Sequence, residues 1–362
     1  MRPELLTFFI YTVFFIGSFG FSLLLYSILL RFARTLGIRE KHDIIRWATT
    51  AKPALGGITF FIVFLIALVF HSIAFPDGDS ISSAGSLGVL AVSVLAFMMG
   101  LADDAYNTRP LLKFFIQVAC GLILVWTDTS IDLFHHPVYD TLLTVLWVVG
   151  IMNSINMLDN MDGISTITSM FIFITALMYM SLQQDYGTAD FMILVGVVGA
   201  LFAFLFYNWH PSRMYMGDTG SQFLGILLAI VGIRYFWNAV PASGVSTFGQ
   251  QILTLLIGFL LPIVDTTTVS LNRILRGTSP FVGGRDHTTH SLSYMGMSDS
   301  QVALSFSGIS IVNLIICYTI FRFMDGWSSI SAWLLTLYAV GIFSTFYLIS
   351  RKYEYHQTEP PS

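Results

Sequence analysis

The chain has 362 residues, 55% of them hydrophobic and only 10% charged, whereas soluble domains carry about 25% charged residues. That deficit excludes an ordinary soluble enzyme, and the two cysteines, Cys120 and Cys317, exclude a disulfide framework or a cysteine-based metal site. The net charge of −4 decides little by itself; no nucleic-acid partner is expected, and the information lies in where the charges fall.

Apolar runs of about 20 residues recur along the chain, each long enough to cross a hydrocarbon core of ~30 Å. Eleven are expected, at roughly 5–30, 56–75, 85–102, 111–127, 141–157, 164–182, 190–207, 221–238, 249–270, 302–321 and 331–350. All must be helical, because lipid satisfies no backbone hydrogen bond. The expected fold is therefore all-α, a polytopic transmembrane bundle. The first run reads as a span rather than a cleavable signal, since Arg2 and Glu4 begin it and no small-residue cleavage site follows.

Counting alternate connections as one side places 14 of the 17 basic residues together. Arg31, Arg34, Arg39, Lys41, Arg46 and Lys52 follow the first span, and Arg109, Lys113, Arg213, Arg273, Arg276, Arg285, Arg351 and Lys352 join them. Only Arg2, Arg234 and Arg322 fall opposite. The positive-inside rule makes the rich side cytoplasmic, with the N-terminus outside and the C-terminus inside. The outer loops are short, so chemistry must sit at the inner helix ends.

Those ends hold five polar segments. Lys52-Pro-Ala-Leu-Gly-Gly57 precedes the second span; Lys52 reaches for a phosphate or merely snorkels. Asp103 and Asp104 close the third span beside Asn107, Arg109 and Pro110. Adjacent carboxylates repel and are eased by a shared cation or proton, although a solvated turn would also carry them. Asn153, Asn156, Asp159 and Asp162 recur every three residues, hence on one helix face. Such a stripe faces protein or a water-filled cavity. Asn208 to Ser221 contains His210, Arg213 and a Gly-Asp-Thr-Gly-Ser run opening the next span. There Gly217 permits close approach of a ligand and a helix start favours phosphate, with an ordinary N-cap as the alternative. Asp265 lies within the ninth span, as a functional group or a partner of Arg273 or Arg276. Beyond it come Arg276 and a Gly-Gly-Arg-Asp-His-Thr-Thr-His run at 283–290. Here the basic groups suit a nucleotide's phosphates, and His287 and His290 alone make an incomplete zinc site. Carboxylates without thiolates point to Mg²⁺, with Mn²⁺ as a substitute, and Mg²⁺ with arginines is the usual kit for phosphoryl transfer.

Asp-Asp at 103–104, Asn-Met-Leu-Asp-Asn-Met-Asp-Gly at 156–163 and Met-Gly-Asp-Thr-Gly-Ser at 216–221 occur in that order. With them the chain resembles the polyprenyl-phosphate N-acetylhexosamine-1-phosphate transferases, the glycosyltransferase 4 group, most closely their undecaprenyl-phosphate N-acetylglucosamine branch. The resemblance runs from Pro53 to His290 and implies a single integral-membrane transferase domain over 1–352 with a polar tail at 353–362. It implies transfer of a HexNAc-1-phosphate, foremost GlcNAc-1-phosphate, from a UDP-sugar to a polyprenyl (undecaprenyl) phosphate. UMP would leave, and a cell-envelope glycan would start at the cytoplasmic face of a bacterial inner membrane. A homodimer is compatible with it. By position, the resemblance makes Asp103, Asp104, Asp159 and Asp162 catalytic. Asp218, with Asp103 and Asp104, would hold Mg²⁺. Lys52, Asn156, Arg213, Gly217, Arg276, Arg285, His287 and His290 would contact substrate. Asp265 and Arg273 fit the recurrent ninth-span motif, and Asp286 joins the donor loop. Two departures stand out. His-Thr-Thr-His replaces the three histidines plus Phe-Glu of the muramoyl-pentapeptide branch, and Thr289 stands where N-acetylglucosamine relatives carry another histidine. A secondary transporter would need repeats and midplane charges, and a prenyltransferase would need two Asp-rich motifs; neither pattern is present.

Overall fold

A computed structural model of the protein describes residues 3–36, 52–76, 83–240, 247–279, 284–323 and 327–353. Its helices are α1 (Pro3–Leu36), α2 (Gly56–Ala74), α3 (Ala84–Tyr106), α4 (Pro110–Trp126), α5 (Pro137–Leu158), α6 (Ile164–Leu182) and α7 (Ala189–Asn208). There follow α8 (Gly217–Gly232), prolonged by a π-helical turn at Ile233–Trp237, then α9 (Phe248–Gly258), α10 (Leu260–Leu275), α11 (Thr288–Tyr294), α12 (Asp299–Phe323) and α13 (Ser329–Tyr353). Local chemistry sets several starts. Pro110 and Pro137 open α4 and α5, where a missing N–H costs nothing. The hydroxyls of Ser83, Thr188 and Thr247 accept from backbone N–H groups of the first turns of α3, α7 and α9.

The all-helical expectation holds among the described residues, with one change in the spans. Nine helices are long and apolar enough to cross a membrane, and α4, at 17 residues, is shorter. The run expected as one span at 249–270 is two helices, α9 and α10, meeting at 82°. The expected eleven therefore correspond to nine straight spans, the short α4 and this broken one.

Helix ends sort by polarity. Asp104 at the end of α3 meets the start of α8, and the end of α5 meets it through Asn156. His210, after α7, lies 3.2 Å from Asp299 at the start of α12, and Asn272 of α10 bonds Ser350 of α13 at 2.9 Å. At the far end of α8, Arg234 pairs with Asp190 of α7 at 2.6 Å.

Helix α8 is the axis. Every residue from Thr219 to Gly232 is buried, and α2, α3, α5 and α6 surround it. A helix apolar on all sides belongs in such a position, whereas α1 and α13 expose large apolar side chains along their lengths, as lipid-facing helices do. The packing at the start of α8 is close because glycines line it. A Cβ on Gly57 of α2 would stand 2.2 Å from the Gly220 nitrogen, and one on Gly100 of α3 would stand 2.4 Å from the Asp218 carbonyl. Small residues let helix backbones approach in lipid, where no hydrophobic effect drives them together.

Gly57→Ala is therefore expected to destabilise the detergent-solubilised protein by about 1–3 kcal/mol, the usual cost of overpacking. Gly17→Ala, with nothing within 4 Å of the added methyl, should leave thermal unfolding unchanged. Equal unfolding temperatures for the two variants would refute this packing.

Candidate active site

The site is built around the first turn of α8. Gly217 opens that turn with φ +71°, and a side chain there would collide with Asp104, 2.7 Å from its Oδ2. Asp104 Oδ1 accepts from the Asp218 N–H at 2.8 Å; Oδ2 accepts from the Thr219 N–H at 2.9 Å and the Thr219 hydroxyl at 2.5 Å. A carboxylate on these unpaired N–H groups also complements the helix dipole. On the other side, Ala54 and Tyr215 form a parallel bridge. The Gly56 and Gly57 N–H groups donate to the Tyr215 and Met216 carbonyls at 3.1 and 3.0 Å. The turn is thus held from both sides.

Asp218 stands on this clamped turn, about a third exposed. The Asn156 amide of α5 donates to it and, at 2.9 Å, to the Ser221 hydroxyl. The Asp103 carboxyl comes within hydrogen-bonding reach of Asp218. Asp103 is buried, accepts from the Thr108 N–H and hydroxyl at 2.8 and 2.7 Å, and forms an ion pair with Lys113 of α4. Lys113 also lies 3.8 Å from Asp218. It is therefore the cation shared by two crowded carboxylates.

Asp159, at the end of α5, is half-buried. Burial, then the charges of Asp104 and Asp162, push its pKa up to about 7. Asp162 ties the 210–212 loop down, accepting from the Ser212 N–H at 3.0 Å and the Ser212 hydroxyl at 2.7 Å, and pairing with His210 Nδ1 at 3.1 Å. Lys52 lies 3.8 Å from Asp162, donates to the Ser212 hydroxyl at 2.8 Å, and stands over the Tyr215 ring.

From α10, Asp265 and Arg273 grip the segment leading into α11. Asp265 accepts from the Thr288 N–H and hydroxyl at 2.9 and 2.6 Å and faces His287 Nδ1 at 3.0 Å. Arg273 makes a forked pair with Asp286 at 2.8 and 2.6 Å. Burial alone would raise the pKa of Asp286, but this pair and the His287 charge hold it below the ordinary carboxylate value. Burial, then the His287 charge, lowers the pKa of His290 to about 4, so its ring is neutral at physiological pH. The Thr289 hydroxyl donates to Asn160 Oδ1 at 2.5 Å, joining this segment to the end of α5.

The structure thus gathers Lys52, Asp103, Asp104, Asn156, Asp159, Asp162, Gly217 and Asp218 around one helix start, with His287 and His290 on the neighbouring segment. Arg276 and Arg285 are exposed on the same connection. Arg213 is turned elsewhere: its guanidinium covers the Tyr207 ring at 5.0 Å and donates to the Phe206 carbonyl at 2.9 Å. Asp265, open between function and a partnership with Arg273 or Arg276, is partnered instead by His287 and Thr288. The expected trio Asp103, Asp104 and Asp218 is no three-carboxylate cage, because both oxygens of Asp104 are spent on α8. Among the described residues, no three His, Cys, Asp or Glu side chains form a ready metal cage. Lys113 is absent from the sequence-derived set; a lone lysine four residues into an apolar run was its signal.

The model of "Glycosyl transferase family 4" matches residues 86–236, the stretch containing Asp103, Asp104, Asp159, Asp162 and Asp218. The chain is 30% identical over 275 residues to a probable undecaprenyl-phosphate N-acetylglucosaminyl 1-phosphate transferase of Bacillus subtilis, covering 74% of this chain and 71% of that protein. It is 28% identical over 254 residues to a phospho-N-acetylmuramoyl-pentapeptide-transferase of Streptococcus uberis, covering 62% and 73%. A decaprenyl-phosphate N-acetylglucosaminephosphotransferase of Mycobacterium tuberculosis is 27% identical over 281 residues, covering 70% and 69%. With its aspartates gathered at one end of an all-helical bundle and these likenesses over most of its length, the chain belongs to glycosyl transferase family 4, the polyprenyl-phosphate N-acetylhexosamine-1-phosphate transferases.

Proposed function

We propose that this transferase moves a HexNAc-1-phosphate, GlcNAc-1-phosphate foremost, from a UDP-sugar to a polyprenyl phosphate. The observation that carries this reading is the cluster of Asp218, Asp103, Asn156 and Lys113 at the first turn of α8. Such a cluster suits a polyphosphate brought in with its counter-cation, and the relatives' names supply the polyprenyl phosphate and the transferred N-acetylhexosamine phosphate. An oxygen of the lipid phosphate attacks the sugar-side phosphorus, the bond from that phosphorus to the bridging oxygen breaks, and UMP leaves. The product is a polyprenyl diphosphate sugar. A phosphate monoester is largely ionised near neutral pH, so positioning and charge neutralisation outweigh the need for a strong base.

The residues fit Mg²⁺. Two crowded carboxylates sharing one lysine hold surplus negative charge, and Mg²⁺ is commonly held by one or two carboxylates plus substrate phosphates rather than by a protein cage. Asp218 with Asp103 would hold it, and it would supply neutralisation of the diphosphate's charge. Asp104 and Asp162 act from behind, by fixing α8 and the 210–212 loop. The basic majority at this end supports a cytoplasmic site in a bacterial inner membrane. His-Thr-Thr-His at 287–290 favours an N-acetylglucosamine donor over a muramoyl pentapeptide.

Purified protein given undecaprenyl phosphate and a panel of UDP-sugars should release UMP with added Mg²⁺, fastest with UDP-GlcNAc. Release of inorganic diphosphate, or no UMP from any donor, refutes the reading. Asp218→Asn should lower that release about 10²–10³-fold, the loss typical of removing one preorganised electrostatic group, without lowering the unfolding temperature. Near-normal turnover would remove Asp218 from the centre.

Asp159 predicts two pH effects. If its ionised form serves the cation, turnover rises as pH climbs through about 7, and Asp159→Asn abolishes that limb. Its stabilising contribution has the opposite sign. A carboxyl whose pKa is raised by folding favours the folded state fully below its unfolded value of ~3.9, and that contribution is lost as pH rises through about 7. In chelator at alkaline pH, Asp159→Asn should therefore unfold at a higher temperature than the parent; a lower one refutes the assignment.

A further inference from the structure

Neither the expected roles nor the relatives' names account for the way α10 holds His287. Three consecutive attachments pin the segment that enters α11. Arg273 grips Asp286 with a fork, Asp265 grips His287 and Thr288, and Thr289 reaches across to Asn160. Asp265, Arg273 and His287 are buried, Asp265 almost completely. The two oxygens of Asp265 divide the work: Oδ1 takes both Thr288 donors, and Oδ2 faces His287 Nδ1 alone.

A carboxylate can only accept, so the proton of this contact sits on Nδ1. In a neutral imidazole that leaves Nε2, the ring nitrogen that does not face Asp265, as the acceptor. We propose that Asp265 is a positioning residue, fixing the tautomer and direction of the His287 ring so that Nε2 is offered to the nucleotide sugar as a hydrogen-bond acceptor. Its partner is then a hydrogen-bearing group, a hydroxyl or amide N–H, and not an ionised phosphate oxygen. The forked pair of Arg273 with Asp286 and the Thr289–Asn160 bond keep the ring at a set distance from the end of α5. The inference rests on the transferase reading for its substrate, but not for its geometry.

Asp265→Asn isolates the effect. The asparagine oxygen retains both Thr288 donors, while its NH₂ replaces the oxygen facing the ring. Nδ1 must then accept, and the proton moves to Nε2. Nitrogen-15 spectra of histidine-labelled protein in lipid nanodiscs, near pH 8, read this directly. The parent is expected to show His287 protonated on Nδ1 only, and Asp265→Asn on Nε2 only. With UDP-GlcNAc, Asp265→Asn should lower kcat/KM about 10- to 100-fold, the range for one misdirected buried hydrogen bond. In a His287→Ala background it should cost nothing further, since a residue acting through another loses its effect with that partner. A parent ring protonated on Nε2, or on both nitrogens, overturns the inference, as do additive losses. The parent spectrum decides even where Asp265→Asn fails to fold. Absence of UMP release from every donor, with the expected spectra, refutes the transferase reading and leaves the positioning role standing.

Discussion

The arrangement depends on one capped helix start. Asp104 gives both carboxylate oxygens to the first turn of α8, and that turn carries Asp218. A carboxylate at a helix N-terminus answers donors that would otherwise be unpaired and a dipole that favours negative charge. Here the bond crosses from another helix, so it fixes the position of α3 against α8 as well as the end of α8. Glycines on both neighbouring helices make the contact possible. The Pro53–Gly57 strand-like run closes the other side by pairing with Tyr215 and Met216. Asp218 is thus held in place by residues of two other helices and the 53–57 run.

A second consequence is electrostatic. Using one aspartate as a cap leaves Asp103, Asp159 and Asp218 near a fixed negative charge. Asp103 is answered by Lys113 and two donors from Thr108. Asp159, which has no comparable ion pair among the described residues, holds its proton up to about neutrality. Asp218 is shared between an amide, a lysine and Asp103. Carboxylates crowded in this way repel one another, and Lys113 offsets only part of that repulsion.

Much of this could be read from the chain alone, for identifiable reasons. Spans follow from hydropathy because lipid forces every backbone group into a helix; the three-residue rhythm from Asn153 to Asp162 does not stay on one helix face, because α5 ends at Leu158 and Asp159 and Asp162 lie in the turn beyond it. The 82° break was hidden because residues 252–261 are apolar but for Thr254, and only Pro262, just inside α10, marks the place in retrospect. The supporting roles of Asp104 and Asp162 were hidden for another reason. Their partners stand 114 and 50 residues away, and a carboxylate that caps a helix has the same local sequence as one that binds a metal. The place of Arg213 was hidden likewise: its guanidinium covers the ring of Tyr207, six residues earlier, which its local sequence does not announce.

The complete burial of α8 bears on the order in which the protein can be assembled. Its principal neighbours, α2, α3, α5 and α6, all precede it in the chain. As α8 leaves the ribosome, its socket has already been synthesised, so the helix bearing Asp218 can be received at once instead of waiting in lipid. The α10–α11 unit that carries His287 comes later, packs on α5, and completes its contacts only with α12 and α13, which follow it. Synthesis thus lays down the acidic basin before the segment that carries His287.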